Sequence, residues 1–89
     1  MQLPDDVVDD LRTRLRRVEG QVRGVEAMLA DGRECRDVVT QLSAATRALE
    51  QVGFRLLANG LRFCLEHPEE SSESGYSVDE VQRLFTKLS

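Results

Sequence analysis

From Val8 onward, apolar side chains fall at Leu11, Leu15, Val18, Val22, Val25 and Leu29, in unbroken steps of three and four residues. That spacing returns to one side of an α-helix every turn and predicts an amphipathic helix over residues 5–31 with a narrow heptad seam. Pro4 and the acids Asp5, Asp6, Asp9 and Asp10 suit its N-terminal end, and Gly32 in "DGREC" suits the left-handed residue that closes it. A second seam, Val38, Leu42, Ala45, Leu49, Val52 and Leu56, extrapolates back to Cys35 and forward to Asn59 and Phe63. It predicts a helix over 35–66 that stops before Pro68. "HPEESSESGY" reads as a polar, solvated loop, after which "SVDE" offers a capping box, Ser77 with Glu80, for a third helix over 77–88. No strand pattern interrupts this, so the chain reads as all-α, one helical domain over residues 1–89.

Size changes the picture first. A chain of 89 residues is short for a self-sufficient core, so helices of this length gain by burying their seams against another copy, and oligomerisation is expected. No apolar run is long enough for a membrane span, and the acidic start "MQLPDDVVDD" does not resemble a signal peptide, which points to the cytoplasm with no membrane partner. The net charge of −4 is unevenly spread. Residues 11–36 carry seven arginines against Glu19, Glu26, Asp31 and Glu34, while both ends are acidic. Arg12, Arg14, Arg16, Arg17 and Arg23 share the first helix, as a nucleic-acid contact would need, although a solvated face salt-bridged to Glu19 and Glu26 is the plainer account.

Two cysteines in a cytosolic chain are more often reactive, metal-binding or simply buried than permanently bridged. Cys35 and Cys64 stand 29 residues apart on one expected helix, about 43 Å at 1.5 Å per residue, so they cannot pair within a chain. An antiparallel dimer of that helix, with its two-fold axis near Leu49 and Glu50, sets Cys35 of one copy beside Cys64 of the other. Cys35, at a helix N-terminus between Arg33 and Arg36, is the better nucleophile; Cys64, between Phe63 and Leu65, suits a resolving thiol. Burial as two small core residues is the simpler alternative.

Taken together, "LRRVEGQVRGVEAML", "DGREC", "QLSAATRALEQ" and "LRFC" resemble the copper-sensitive operon repressor family over essentially the whole chain. The resemblance implies a disc-shaped tetramer of two antiparallel dimers that binds operator DNA and releases it when its cysteine site is occupied. It places Arg14 at a basic position tied to operator binding and Gln51 where copper-sensing relatives carry a base. Those relatives hold Cu(I) with two cysteines, matching Cys35 and Cys64, and a histidine; here Gly60 stands in the histidine's place. They couple the site to DNA through a tyrosine, matched by Glu34, and a glutamate, matched by Glu80.

A histidine-free pair of thiols resembles instead the sulfurtransferase-operon repressors, in which sulfane sulfur from a persulfide or polysulfide donor links subunits through a di-, tri- or tetrasulfide. On that expectation Cys35 and Cys64 are the sensing thiols, Glu34, Asn59 and Gly60 line the site with room left by the glycine, and no cofactor is needed. The formaldehyde-sensing branch resembles chains with Pro after the initiator Met, where this one has Gln2. Two further readings remain: a Cu(I) or Zn(II) site of Cys35, Cys64 and His67, and a structural helical oligomer. An enzyme is disfavoured by the lack of a CxxC motif, a general base or a cofactor loop.

Overall fold

Helical order runs through almost all of the chain. The computed structural model describes residues 3–73 and 77–88, with backbone only for 72 and 73. Three long helices and a short one follow in order: α1 (Asp5–Ala30), α2 (Cys35–Glu66), α3 (Pro68–Glu73) and α4 (Val78–Leu88). α1 and α2 form a hairpin, and α3 and α4 both pack against α2.

The hairpin turn has a local cause. Asp31 ends α1, and Gly32 follows with φ +67°, a backbone angle that glycine adopts without steric cost. The Gly32 amide then donates to the Leu29 carbonyl (3.2 Å) and the Arg33 amide to that of Met28 (3.0 Å), the paired bonds of a Schellman closure. Two residues later the Glu34 carboxylate accepts from the Arg36 amide at 2.9 Å and caps the start of α2.

Only part of each predicted seam is buried. Leu11, Val18 and Val25 of α1 face Val38, Ala45 and Val52 of α2, one residue per heptad on each helix. The alternate positions, Leu15, Val22, Leu29, Leu42, Leu49 and Leu56, stay exposed, Leu49 at 52% and Leu29 at 64%. The reason is the chain's thinness: its extents are 55 × 25 × 14 Å, and 14 Å is little more than one helix with side chains. The radius of gyration of 16.9 Å compares with about 12 Å for a compact domain of this length. Its surface, 6820 Å², likewise exceeds the about 5,200 Å² of a compact protein of this mass.

The segment expected as a loop over 67–76 differs. Pro68 opens the short helix α3, with Glu69 and Glu70 in its first turn; residues 74–76 lie outside the described residues. Proline is suited to the first helical position because the amide it lacks would have no partner there, and acids favour that same end. The Ser71 amide closes the first turn onto the His67 carbonyl at 2.9 Å.

α4 begins as its capping residues indicate, with the Ser77 hydroxyl accepting from the Glu80 amide at 3.1 Å. Its Val81 is buried, and Phe85 meets Phe54 of α2 with ring centroids 5.4 Å apart. Leu88 crosses α2 at Gly53, where a Cβ would lie 2.8 Å from Leu88 Cδ1. Gly53→Ala needs only the end of that leucine to swing aside, whereas Gly53→Leu has no room. Amide exchange across Val78–Leu88 should accelerate roughly tenfold or more in Gly53→Leu, with α1 unaffected. Unchanged protection of α4 would contradict this docking.

Candidate functional site

The two cysteines sit in opposite environments at opposite ends of α2. Cys35 is its first residue, exposed at the hairpin turn between Arg33 and Arg36. Cys64, near the other end, is buried at 4% exposure, one turn after the buried Gly60. With α2 continuous between them, 29 residues at 1.5 Å each hold them about 43 Å apart. Among the described residues, no three His, Cys, Asp or Glu side chains converge where a metal ion could sit. One chain therefore does not assemble Cys35, Cys64 and His67 into a site.

Around Cys64 the structure adds a residue that the sequence reading missed. The Ser71 hydroxyl, on α3, donates to Cys64 Sγ at 3.0 Å, and Ser71 itself is only 2% exposed. The readable signal was "HPEE", a proline and two acids that open a helix rather than a loop. Gly60 and Cys64 are both buried, and the clefts described on the surface are lined by other residues. Asn59, half-buried, turns its side-chain amide back on the Arg55 carbonyl at 2.8 Å. His67 ends α2 as an exposed residue, its ring 5.0 Å from that of Phe63.

The two acids matched to coupling positions are both engaged locally. Glu34 is spent on the α2 cap, and the Glu80 carboxylate pairs with Arg83 of its own helix at 3.3 Å.

The arginines of α1 divide into two groups. At 100° per residue, Arg12, Arg16 and Arg23 share a direction well away from the buried Leu11, Val18 and Val25, and all three are exposed. Arg14, Arg17 and Gln21 share another direction, nearer the hairpin seam, and with Ala48 and Gln51 of α2 they line a shallow cleft of about 290 Å³. The fold thus brings Gln51 to Arg14 and Arg17, adds Gln21, and leaves Arg12, Arg16 and Arg23 outside. The expected ion pairs to Glu19 and Glu26 are replaced by one from Arg14 Nε to Asp10 at 3.1 Å, which holds the half-buried Arg14 in place. Exposed pairs of this kind contribute little to stability but limit where the guanidinium points.

Comparison with known proteins converges on one family. Residues 8–87 match the model of the metal-sensitive transcriptional repressors. The copper-sensing transcriptional repressor CsoR of Bacillus subtilis (strain 168) is 32% identical over 80 residues, 90% of this chain and 79% of that protein. The copper-sensing transcriptional repressor RicR of Mycobacterium tuberculosis is 49% identical over 57 residues, 64% of this chain and 59% of RicR. The crystal structure of the copper-sensing repressor CsoR with Cu(I) from Geobacillus thermodenitrificans NG80-2 superposes with a TM-score of 0.73 at 32% identity, covering 99% of this chain and 88% of that one. On the match over residues 8–87 and the shared helical fold, the chain belongs to the metal-sensitive transcriptional repressor family and is a repressor rather than an enzyme.

Proposed function

We propose that the chain is a cytoplasmic, operator-binding homotetramer, a dimer of antiparallel dimers, that releases DNA when Cys35 of one copy and Cys64 of a neighbour are bridged by a soft ligand, Cu(I) foremost. The observation that carries this is the continuous α2, with a thiol at each end and exposed leucines between. An antiparallel pairing about Leu49 and Glu50 buries those leucines and joins unlike thiols in one step. Thiolates are the donors that favour Cu(I), and the similar proteins described above are copper-sensing. Bound there, Cu(I) would supply a link between two chains, held by Cys35 and Cys64.

One observation favours a second reading. Gly60, buried a turn before Cys64, offers no donor where copper sensors carry histidine, and His67 lies tilted against Phe63 at the helix end. A two-thiol pair suits sulfane sulfur: Cys35 thiolate takes the outer sulfur of a persulfide and releases a thiol. Attack by the neighbour's Cys64 on the Cys35 sulfur then closes a disulfide and expels hydrosulfide. Operator retention measured against Cu(I) and against an organic polysulfide separates the two. Release by Cu(I) at one ion per thiol pair, lost in Cys35→Ser and in Cys64→Ser, is the expected result. Release by polysulfide alone would transfer the signal to sulfur, and release by neither would overturn the sensor.

DNA contact is assigned to the cleft of Arg14, Arg17 and Gln51, with Arg12, Arg16 and Arg23 adding a diffuse positive field. Arg14→Ala should weaken operator binding about tenfold and flatten its salt dependence by about one unit of slope, with the fold intact. Equal affinity of the two proteins would remove Arg14 from the interface. The assembly is testable at Leu49, which would meet its own copy near the two-fold axis. Leu49→Glu should move the sedimenting species towards the 10.0 kDa chain, and a tetramer of undiminished mass would contradict the pairing.

A further inference from the structure

We infer that Ser71 latches α3 over Cys64, so that this thiol reacts or binds only when α3 lifts. The inference rests on Cys64 being one of the sensing thiols. It concerns a residue and a helix that the reading above leaves without a role.

Three observations meet here. Cys64 is 4% exposed, so neither a metal ion nor a second chain's sulfur reaches Sγ while its surroundings stay closed. The polar group on that sulfur is the Ser71 hydroxyl at 3.0 Å, buried to 2% exposure and seven residues further along the chain. The helix that carries Ser71 has six residues, too few to be stable alone, so its position depends on what it packs against. Pro68 limits the backbone at its start, and the Ser71 amide bond to the His67 carbonyl at 2.9 Å hinges it to the end of α2. A six-residue element that depends on its packing belongs to the low-stability end of a fold, where local opening occurs without global unfolding. The consequence is an asymmetric pair: Cys35 is always available, and Cys64 becomes available only on opening.

Rates of iodoacetamide labelling in full-length protein test this, with Cys35→Ser throughout so that Cys64 is the one thiol. Adding Ser71→Ala should accelerate labelling about fivefold, the effect of removing one typical hydrogen bond from the closed form. Ser71→Thr, which keeps the hydroxyl, should restore the parent rate to within twofold. In low urea the parent rate should stay nearly flat, because local opening exposes little surface. Labelling unchanged or slowed by Ser71→Ala would overturn the latch, since a hydroxyl that only activates the sulfur in place would give slowing. A rate that climbs with urea as steeply as global unfolding would overturn it as well, whatever the stability of the variant. Neither operator nor inducer enters the measurement, so a failed latch and a failed sensor assignment are distinguishable.

Discussion

A helix of 32 residues that never breaks is the constraint on which the rest of this molecule depends. α2 tolerates Gly53 and Gly60 in its interior, each costing about 1 kcal/mol of helix propensity, because α1, α3 and α4 all pack against it. Its rigidity holds the two thiols about 43 Å apart and makes any bond or shared ligand between them a bond between chains. The same helix carries Gln51 to the arginine cleft, 13 residues or about 20 Å from Cys64. Thiol chemistry and the basic cleft are thus placed on one stiff element. A hundredfold loss of operator affinity would need about 2.7 kcal/mol of coupling between them, within the usual range for linked sites.

The ends of α2 are built differently, and this follows from where the rest of the chain docks. At the Cys35 end lies the hairpin turn, closed by Gly32 and capped by Glu34. At the other end α3 and α4 cover the helix, with Val81, Phe85 and Leu88 meeting its apolar side and Ser71 meeting Cys64. One thiol is open and the other closed. A composite site made from one of each brings an exposed nucleophile to a guarded partner, and the long exposed rows at Leu15, Val22, Leu42 and Leu49 supply the surface that would hold the chains together.

Much of this was legible in the residues. Steps of three and four marked α1 and α2, "DGREC" marked the turn, and Ser77 with Glu80 marked the start of α4, because helix spacing and capping are local effects. The separation of the cysteines followed from helix geometry alone. What the pattern could not show was tertiary. An apolar position in a seam faces either its own hairpin partner or another chain, and the spacing is the same in both cases; Val18 is buried here and Val22 is not. Five arginines close in sequence suggested one patch, but 100° per residue splits them. Glu34 stands at the position of a coupling tyrosine, and only the structure shows that its carboxylate caps α2. α3 was hidden by polar residues that resemble a loop, and only the position of Ser71 against Cys64 gives that segment a purpose.

The central claim is that Cys35 and Cys64 meet across chains, and isotope mixing tests it most directly. Unlabelled and uniformly ¹⁵N-labelled protein would be unfolded together, refolded in equal amounts, and oxidised gently with diamide, and the Cys35–Cys64 peptides weighed after digestion. The expected result is a linked peptide pair of which about half carries one light and one heavy partner, the statistical outcome for bonds made only between randomly paired chains. Linked peptides that are always both light or both heavy, even though the chains have mixed, would mean that the thiols meet within one chain, and a continuous α2 could not be the helix that holds them apart.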